Sequence, residues 1–119
     1  MGVFAGPDVS ESGLVLALDA GNLKSYPGSG TTWTDLSGRG NTGTLVNGVG
    51  YNGSNLGSLV FDGVDDYVQF GGTARYFTSY ITQQITIETW LYVPSSATWS
   101  NGFYGNIVTR GYFDGSHGL

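Results

Sequence analysis

The chain has 119 residues, of which 11% are charged, and a net charge of −5 at pH 7. That length supports one domain built on one hydrophobic core. Only four residues are basic, too few to neutralise a run of phosphates, so we expect neither nucleic acid nor an anionic membrane as a partner. Cysteine is absent, which excludes disulfides, thiolate metal sites and cysteine nucleophiles.

The N-terminal segment, residues 1–13, mixes Gly, Pro, Asp and Ser with isolated apolar residues. This composition predicts an extended arm that ties the domain to a larger assembly, or, in the plainer alternative, a frayed end or a first edge strand. The domain itself is expected at residues 14–119. Its first apolar run, Leu14–Leu18, is too short for a secretory signal and lacks a basic flank, so we expect no export signal.

Short apolar segments bounded by Gly or Asn predict a series of strands. Leu14–Asp19 carries three leucines on one face and is the first of them. Gln84–Val93 has the clearest alternation, with an apolar face opposite a face that carries Glu88 and two aromatics. Between Ala20 and Asn47 we expect a long connection without regular structure, of the kind that is usually functional or ordered by an ion. Further strands are predicted around Thr44–Val46, Ser58–Phe61, Tyr67–Phe70 and Asn106–Thr109.

Four segments, in this order along the chain, resemble the laminin G-like branch of the concanavalin A-like lectin/glucanase superfamily. They are Gly13–Asn22 (GLVLALDAGN), Thr32–Leu45 (TWTDLSGRGNTGTL), Leu59–Val68 (LVFDGVDDYV) and Ile85–Leu91 (ITIETWL). Domains with similar sequence motifs are frequent in structural proteins of tailed phages, notably marine and cyanobacterial phages, and in large bacterial surface proteins. The resemblance implies an all-β fold, an antiparallel two-sheet jelly-roll sandwich, that binds glycans or protein partners, often with calcium.

The number of predicted strands is smaller than this architecture needs. Roughly six are predicted, whereas a jelly roll closes with about eight. An unpaired edge and a half-covered core would invite aggregation. We therefore expect the domain to be incomplete at its C-terminus or to be completed by another chain.

The first candidate metal site is the loop Asp35–Asn41 (DLSGRGN). Its two glycines allow sharp turns that expose backbone carbonyls, and Asp35 and Asn41 add side-chain oxygens. Calcium takes six to eight such hard ligands, so this loop can supply part of a shell. The alternative is a hydrogen-bonded Asx turn without an ion, and the sequence leaves both open.

The second candidate is the segment Phe61–Tyr67 (FDGVDDY). We interpret it first as a connection between strands, with Gly63 in a left-handed conformation and aspartates that accept hydrogen bonds from backbone N–H groups. If a metal binds, Asp62, Asp65 and Asp66 are the carboxylates that would hold it.

Catalysis is not expected. Glycoside hydrolysis needs two carboxylates about 5 Å apart, or about 6.5 to 9.5 Å apart in inverting enzymes. Glu88 has Thr86 and Trp90 at the neighbouring positions of its strand face, so the carboxylate pair is missing. His117 lies in a Gly- and Ser-containing segment without a nucleophile elbow, and we interpret it as a surface histidine.

A binding role is easier to support, because Trp and Tyr give large rigid contact areas on sugars or proteins. Several aromatic residues fall in predicted loops: Tyr26, Trp33, Tyr51, Trp99, Phe103 and Tyr104. Trp33 belongs to the family motifs, as does Trp90, and both are expected in the core. Trp99 and Tyr104 flank a polar turn and are the candidate ligand-binding residues.

Two hypotheses follow from these observations. The first is a non-catalytic structural or adhesion module of a phage virion, a fibre or surface-decoration protein with a lectin-like fold. Its expected partners are other virion proteins, copies of itself, or glycans. The second is a calcium-dependent carbohydrate-binding module of a larger extracellular enzyme or adhesin.

Overall fold

The computed structural model describes residues 12–70 and 84–95, and the structural statements below concern these residues. They form strands without any helix, and so no helical segment there has the length and apolarity to cross a bilayer. The strands are β1 (Thr32–Trp33), β2 (Gly43–Val46), β3 (Gly50–Asn52), β4 (Ser58–Val60) and β5 (Tyr67–Phe70).

The strands form two antiparallel sheets. One sheet has the order β1-β2-β5, with Thr32 opposite Thr44 and Leu45 opposite Val68. The other is the pair β3-β4, in which Tyr51 lies opposite Leu59. The chain therefore leaves the first sheet after β2 and returns to it at β5. An all-β fold with two antiparallel sheets is confirmed.

Strand β2 is the centre of the larger sheet, and its burial alternates as a half-buried strand requires. Gly43 and Leu45 are buried while Thr44 is exposed. Gly43 lies opposite Phe70 in the register. A Cβ atom added there would lie only 2.8 Å from Val68 Cγ1 and 2.9 Å from Phe70 Cε1. Glycine at this position thus lets two side chains of β5 close over β2.

Tyr26 and Leu45 are the buried large side chains among the described residues, at 2% and 5% exposure. The Tyr26 ring packs against Tyr51 of β3 with centroids 5.3 Å apart and a tilt of 55°, a favourable aromatic geometry. Its hydroxyl donates to the Gly30 carbonyl at 2.9 Å. Tyr26 lies outside the strands, as expected, but it is a core residue and is not available to a ligand.

Three strand predictions are confirmed, with boundaries within a residue: Thr44–Val46, Ser58–Phe61 and Tyr67–Phe70 correspond to β2, β4 and β5. The connection expected from Ala20 to Asn47 contains β1 in addition to the predicted strand at Thr44–Val46, so its part without regular structure is shorter than expected. β1 and β3 are only two and three residues long, which is too short for a period of two to be visible in the sequence. The predicted strand at Asn106–Thr109 lies outside the described residues.

The strand predicted at Leu14–Asp19 is wrong, because this segment pairs with no strand in the part of the chain that the structure describes. Its backbone is instead satisfied by the loop that follows β1. Ala17 donates from its N–H to Asp35 Oδ1 at 2.9 Å and accepts at its carbonyl from Leu36 N–H at 2.8 Å. The Val15 carbonyl accepts from Asn41 Nδ2 at 2.7 Å. Side chains and turns thus take the place of a neighbouring strand, and residues 14–18 are half-buried, not enclosed as an apolar strand inside a sheet would be.

Among the described residues, the strand predicted at Gln84–Val93 is likewise not formed. Residues 84–95 belong to neither sheet, and every one of them is exposed. The alternation of apolar and polar residues predicts which side chains share a face if the segment is a paired strand. It does not predict which strand would pair with the segment.

Ser25 connects the N-terminal segment to β1 from a fully buried position. Its hydroxyl donates to the Thr34 carbonyl at 2.7 Å and accepts from Asp19 N–H at 3.1 Å. Because both backbone groups lose their partner together, Ser25→Ala is expected to lower the free energy of unfolding by about 1–3 kcal/mol. Urea denaturation checks this, with the exposed Ser29 changed to alanine as the control. Equal stability of the two variants would contradict the assignment.

Candidate functional site

The carboxylate of Asp35 is the centre of the first candidate site. Oδ1 accepts the backbone N–H groups of Ala17 and Ser37, both at 2.9 Å. Oδ2 accepts the Ser37 hydroxyl at 2.7 Å and the Asn41 N–H at 2.9 Å. A carboxylate offers about four lone-pair positions, and these donors use all of them. Asp35 is 8% exposed, so it is a buried acceptor around which the loop is folded.

Two opposing effects set the pKa of Asp35. Burial raises the pKa, because it disfavours the charged form, but hydrogen bonds from the Ala17, Ser37 and Asn41 backbone and from the Ser37 hydroxyl lower it. The hydrogen bonds prevail, and the pKa of Asp35 lies below its ordinary value. The carboxylate is therefore ionised at neutral pH and acts as a fixed negative centre.

Asn41 closes this loop from the other end. It is 8% exposed, and its side-chain amide donates to the Val15 carbonyl while its own N–H donates to Asp35. Gly38 and Gly40 have φ angles of 78° and 75°, the left-handed conformations that the glycines were expected to allow. These contacts are those of the hydrogen-bonded alternative. Participation of Asp35 and Asn41 in a calcium shell stays a prediction.

The second candidate site is the crossover from β4 to β5, residues 61–66. Gly63 has φ 77°, as predicted from the sequence. Asp62 Oδ1 accepts Val64 N–H at 2.8 Å and, more weakly, Asp65 N–H at 3.4 Å. Asp66 Oδ2 accepts Asp62 N–H at 3.0 Å. The predicted interpretation of this segment as a strand connection ordered by aspartates is confirmed.

Asp62, Asp65 and Asp66 nevertheless also approach one another, with one carboxylate oxygen from each within 4.8 Å of the other two. The Oδ1 atom of Asp66 is buried and has no hydrogen-bond partner among the described residues. A buried carboxylate oxygen without a donor carries an uncompensated desolvation cost. A hard divalent cation would remove that cost, so the residues present fit calcium. Asp35 is not part of this group.

Asn47 supports the crossover from outside and was not expected from the sequence. Its side-chain amide donates to the Asp65 carbonyl at 2.8 Å, and its own φ is 68°. Asn47 precedes Gly48, which also has a positive φ of 105°, and Asn and Gly are the residues that most readily adopt this conformation in turns. The contact ties the β2–β3 turn to the backbone of the acidic crossover.

The third feature is the exposed segment 84–95, which carries a row of large apolar and aromatic side chains. Their exposure ranges from 46% at Val93 to 103% at Trp90. Trp90, expected in the core, is thus fully exposed in the structure. Glu88 is exposed as well. The side chains of this row are Ile85, Ile87, Trp90, Leu91, Tyr92 and Val93.

Of the remaining aromatic residues and the histidine considered in the sequence, some lie within the described residues and some outside them. Trp33 is half-buried in β1, and its indole Nε1 is buried without a partner among the described residues. Trp99, Tyr104 and His117 lie outside the described residues, so their assignments stay predictions.

Comparison of the chain with protein-family models, with curated proteins and with solved structures finds no match. The likeness to laminin G-like domains therefore depends on the four sequence segments alone.

Proposed function

We propose that this chain is a non-catalytic structural and adhesion module of a phage virion, a fibre or surface-decoration protein with a jelly-roll, lectin-like sandwich. It works by holding other virion proteins, copies of itself or glycans. The four family-like segments support the class of fold. The exposed apolar row of segment 84–95 supports an assembly role, and the proposal depends on it most.

The physical argument starts from the cost of leaving that row in water. Six large apolar side chains within nine residues are exposed, and a concentration of exposed apolar surface is what monomeric proteins avoid and interfaces use. Aromatic anchors such as Trp and Tyr carry much of the free energy of protein interfaces. In a virion this segment is covered by a neighbouring subunit.

The arrangement of the carboxylates in the described residues supports a binding role more than a catalytic one. Those of Asp35, Asp62 and Asp66 accept backbone hydrogen bonds and thus shape loops. Glu88 is exposed, and the residues two positions before and after it in the sequence are Thr86 and Trp90, so the paired strand acids that glycoside hydrolysis uses are missing there.

Mass spectrometry of purified particles tests the proposal directly. We expect the protein at a fixed copy number per particle after density-gradient purification. Recovery only in the soluble fraction of the host lysate would contradict the virion assignment.

A matched pair of substitutions tests the role of the exposed row. Ile87→Asp places a charge in the row, whereas Leu23→Asp places one at another exposed apolar side chain, 75% exposed. We expect Ile87→Asp to reduce incorporation into particles by about tenfold or more, the effect of losing an interface hot spot, and Leu23→Asp to leave it unchanged. Equal incorporation of the two variants would exclude the row as the assembly surface.

The second candidate, a calcium-dependent carbohydrate-binding module, is favoured by one specific observation, the partnerless Asp66 Oδ1 within the three-carboxylate group. In this case Asp62, Asp65 and Asp66 would hold the ion, which would order the crossover. Trp99 and Tyr104 would supply stacking surfaces for sugar rings.

Calorimetric titration with calcium tests this candidate. We expect Asp66→Asn to weaken calcium binding by about tenfold or more, because ligand charge sets calcium affinity. Asp19→Asn, at an exposed aspartate outside the group, is the control. A glycan array with and without chelator tests the carbohydrate-binding candidate further, and no glycan binding in either condition would contradict it.

A further inference from the structure

Two Asn-Gly pairs lie in the described residues, and the fold treats them differently. Asn47–Gly48 lies between β2 and β3, and Asn52–Gly53 begins at the last residue of β3. Both asparagines are exposed. Glycine has no Cβ to hinder the approach of its own nitrogen to the preceding side chain, so both pairs have the sequence that favours attack of a backbone nitrogen on an asparagine amide.

The side chain of Asn52 is folded over the following peptide. Its Oδ1 accepts the Ser54 N–H at 2.9 Å, which closes an Asx turn. The Gly53 nitrogen lies within the ring that this hydrogen bond closes, and the turn therefore keeps Asn52 Cγ near it. The Ser54 N–H also polarises the amide carbonyl and is placed to stabilise an oxyanion that forms there.

The side chain of Asn47 is held in another direction. Its Nδ2, the atom that would leave, donates to the Asp65 carbonyl at 2.8 Å. The amide is thereby fixed toward the acidic crossover, and this hydrogen bond must break before the side chain can turn toward Gly48. Proximity of the reacting atoms is lost at Asn47 and kept at Asn52.

We infer that Asn52 is a site of spontaneous deamidation and that the fold protects Asn47 from the same reaction. The Gly53 nitrogen attacks Asn52 Cγ, forming the N–Cγ bond, and its proton passes through solvent to the leaving nitrogen. The Cγ–Nδ2 bond breaks and ammonia leaves, which gives a five-membered succinimide. Water then opens the ring at either carbonyl to aspartate or isoaspartate. The only co-reactant is water, and no electrons are transferred.

The product changes the second sheet. Asn52 lies opposite Ser58 at the end of the β3-β4 pair. Isoaspartate adds a methylene to the backbone, which disturbs the pairing at this end, and either product adds a negative charge to a chain that carries −5. This inference does not depend on the proposed function.

Peptide mass mapping of the purified full chain, aged in mildly alkaline buffer, tests the inference. We expect deamidation at Asn52 to be about fivefold to tenfold faster than at Asn47, the factor that corresponds to one hydrogen bond. In urea the two rates are expected to converge. Equal rates in the folded chain would overturn the inference, and so would the same ratio in urea, because the preference would then be a property of the sequence alone.

A substitution at the nucleophilic residue gives an independent test. A Cβ added at Gly53 lies 3.6 Å from the Tyr51 ring, an ordinary contact that the fold accommodates. Gly53→Ala hinders the attacking nitrogen and is expected to slow modification of Asn52 several-fold while leaving Asn47 unchanged. Labelling with an isoaspartyl methyltransferase reports the product. Undiminished labelling of the Asn52 peptide in this variant would contradict the proposed reaction.

Discussion

Replacing Asp35 with alanine is expected to lower the free energy of unfolding by about 3 kcal/mol or more, the largest effect that we predict for a single side chain. The substitution removes the acceptor of four hydrogen bonds. Donors left without an acceptor at a buried position each cost about 1–3 kcal/mol. Those donors come from both sides of the loop, so the segment before β1 and the loop after it separate together.

Asp35→Asn is the informative companion to this variant, because it preserves the shape of the side chain. In either orientation its NH₂ group faces N–H or O–H donors where an oxygen now accepts. We expect a loss of about 2 kcal/mol, smaller than for alanine but larger than for an ordinary surface substitution. Urea denaturation followed by tryptophan fluorescence measures both. A loss below about 0.5 kcal/mol for Asp35→Ala would show that the carboxylate is not the centre of the loop.

The same residue predicts how stability changes with pH. The folded pKa of Asp35 is lower than its ordinary value of 3.8 because the hydrogen bonds outweigh the opposing effect of burial. A lowered folded pKa gives stability that is present above the unfolded pKa and is lost as pH falls through the folded pKa. We therefore expect the wild-type chain to lose stability below about pH 4, and the Asp35→Asn variant to lose less over that range. An identical pH dependence of the two proteins would contradict this assignment.

Gly21→Ala is expected to have the second largest effect, a loss of about 2–3 kcal/mol. A Cβ atom built on Gly21 would clash with the Leu56 carbonyl oxygen. That oxygen belongs to the backbone, which cannot rotate away as a side chain would, so the segment around Ala20 and the turn before β4 must move apart. Gly57 is part of the same approach, since a Cβ there would lie 2.8 Å from the Ala20 carbonyl oxygen.

Gly53→Ala is the matched control, because neither Gly21 nor Gly53 has a left-handed φ and only the available space differs. We expect its stability to remain within about 0.5 kcal/mol of the wild type. Thermal unfolding of the two variants in parallel checks the prediction. Comparable melting temperatures would show that the contact between Gly21 and Leu56 does not constrain the fold.

The sequence predicts local turn chemistry here better than strand pairing. The roles of Asp62 and Gly63 in their turn follow from residue type and spacing, because an Asx turn involves atoms only two or three residues apart. For Asp35 the sequence left an Asx turn and a calcium loop equally open, and its hydrogen bond from Ala17 N–H spans 18 residues. Pairing depends on a partner that is remote in the chain. Leu14–Asp19 has the composition of a buried strand, yet side chains from the Asp35–Asn41 loop satisfy its backbone.

In segment 84–93 the sequence pattern did not predict which side chains are buried. Its alternation predicts two faces, but burial of one face requires something to pack against it. For the three-carboxylate group, the clustered aspartates in the sequence predicted the candidate ligands. The buried Asp66 Oδ1 without a hydrogen-bond partner among the described residues depends on the fold of the crossover, and the spacing of residues in the sequence does not predict it.

The excursion of the chain from one sheet to the other and back sets an order for folding. β3 and β4 follow one another along the chain, whereas β2 and β5, which also pair, are separated in the sequence by both of them. Closing the shorter loop costs less chain entropy, so the hairpin forms first and the larger sheet is completed around it. In pulse-labelling hydrogen exchange, amides of β3 should therefore gain protection before those that join β2 to β5, and the opposite order would exclude this route.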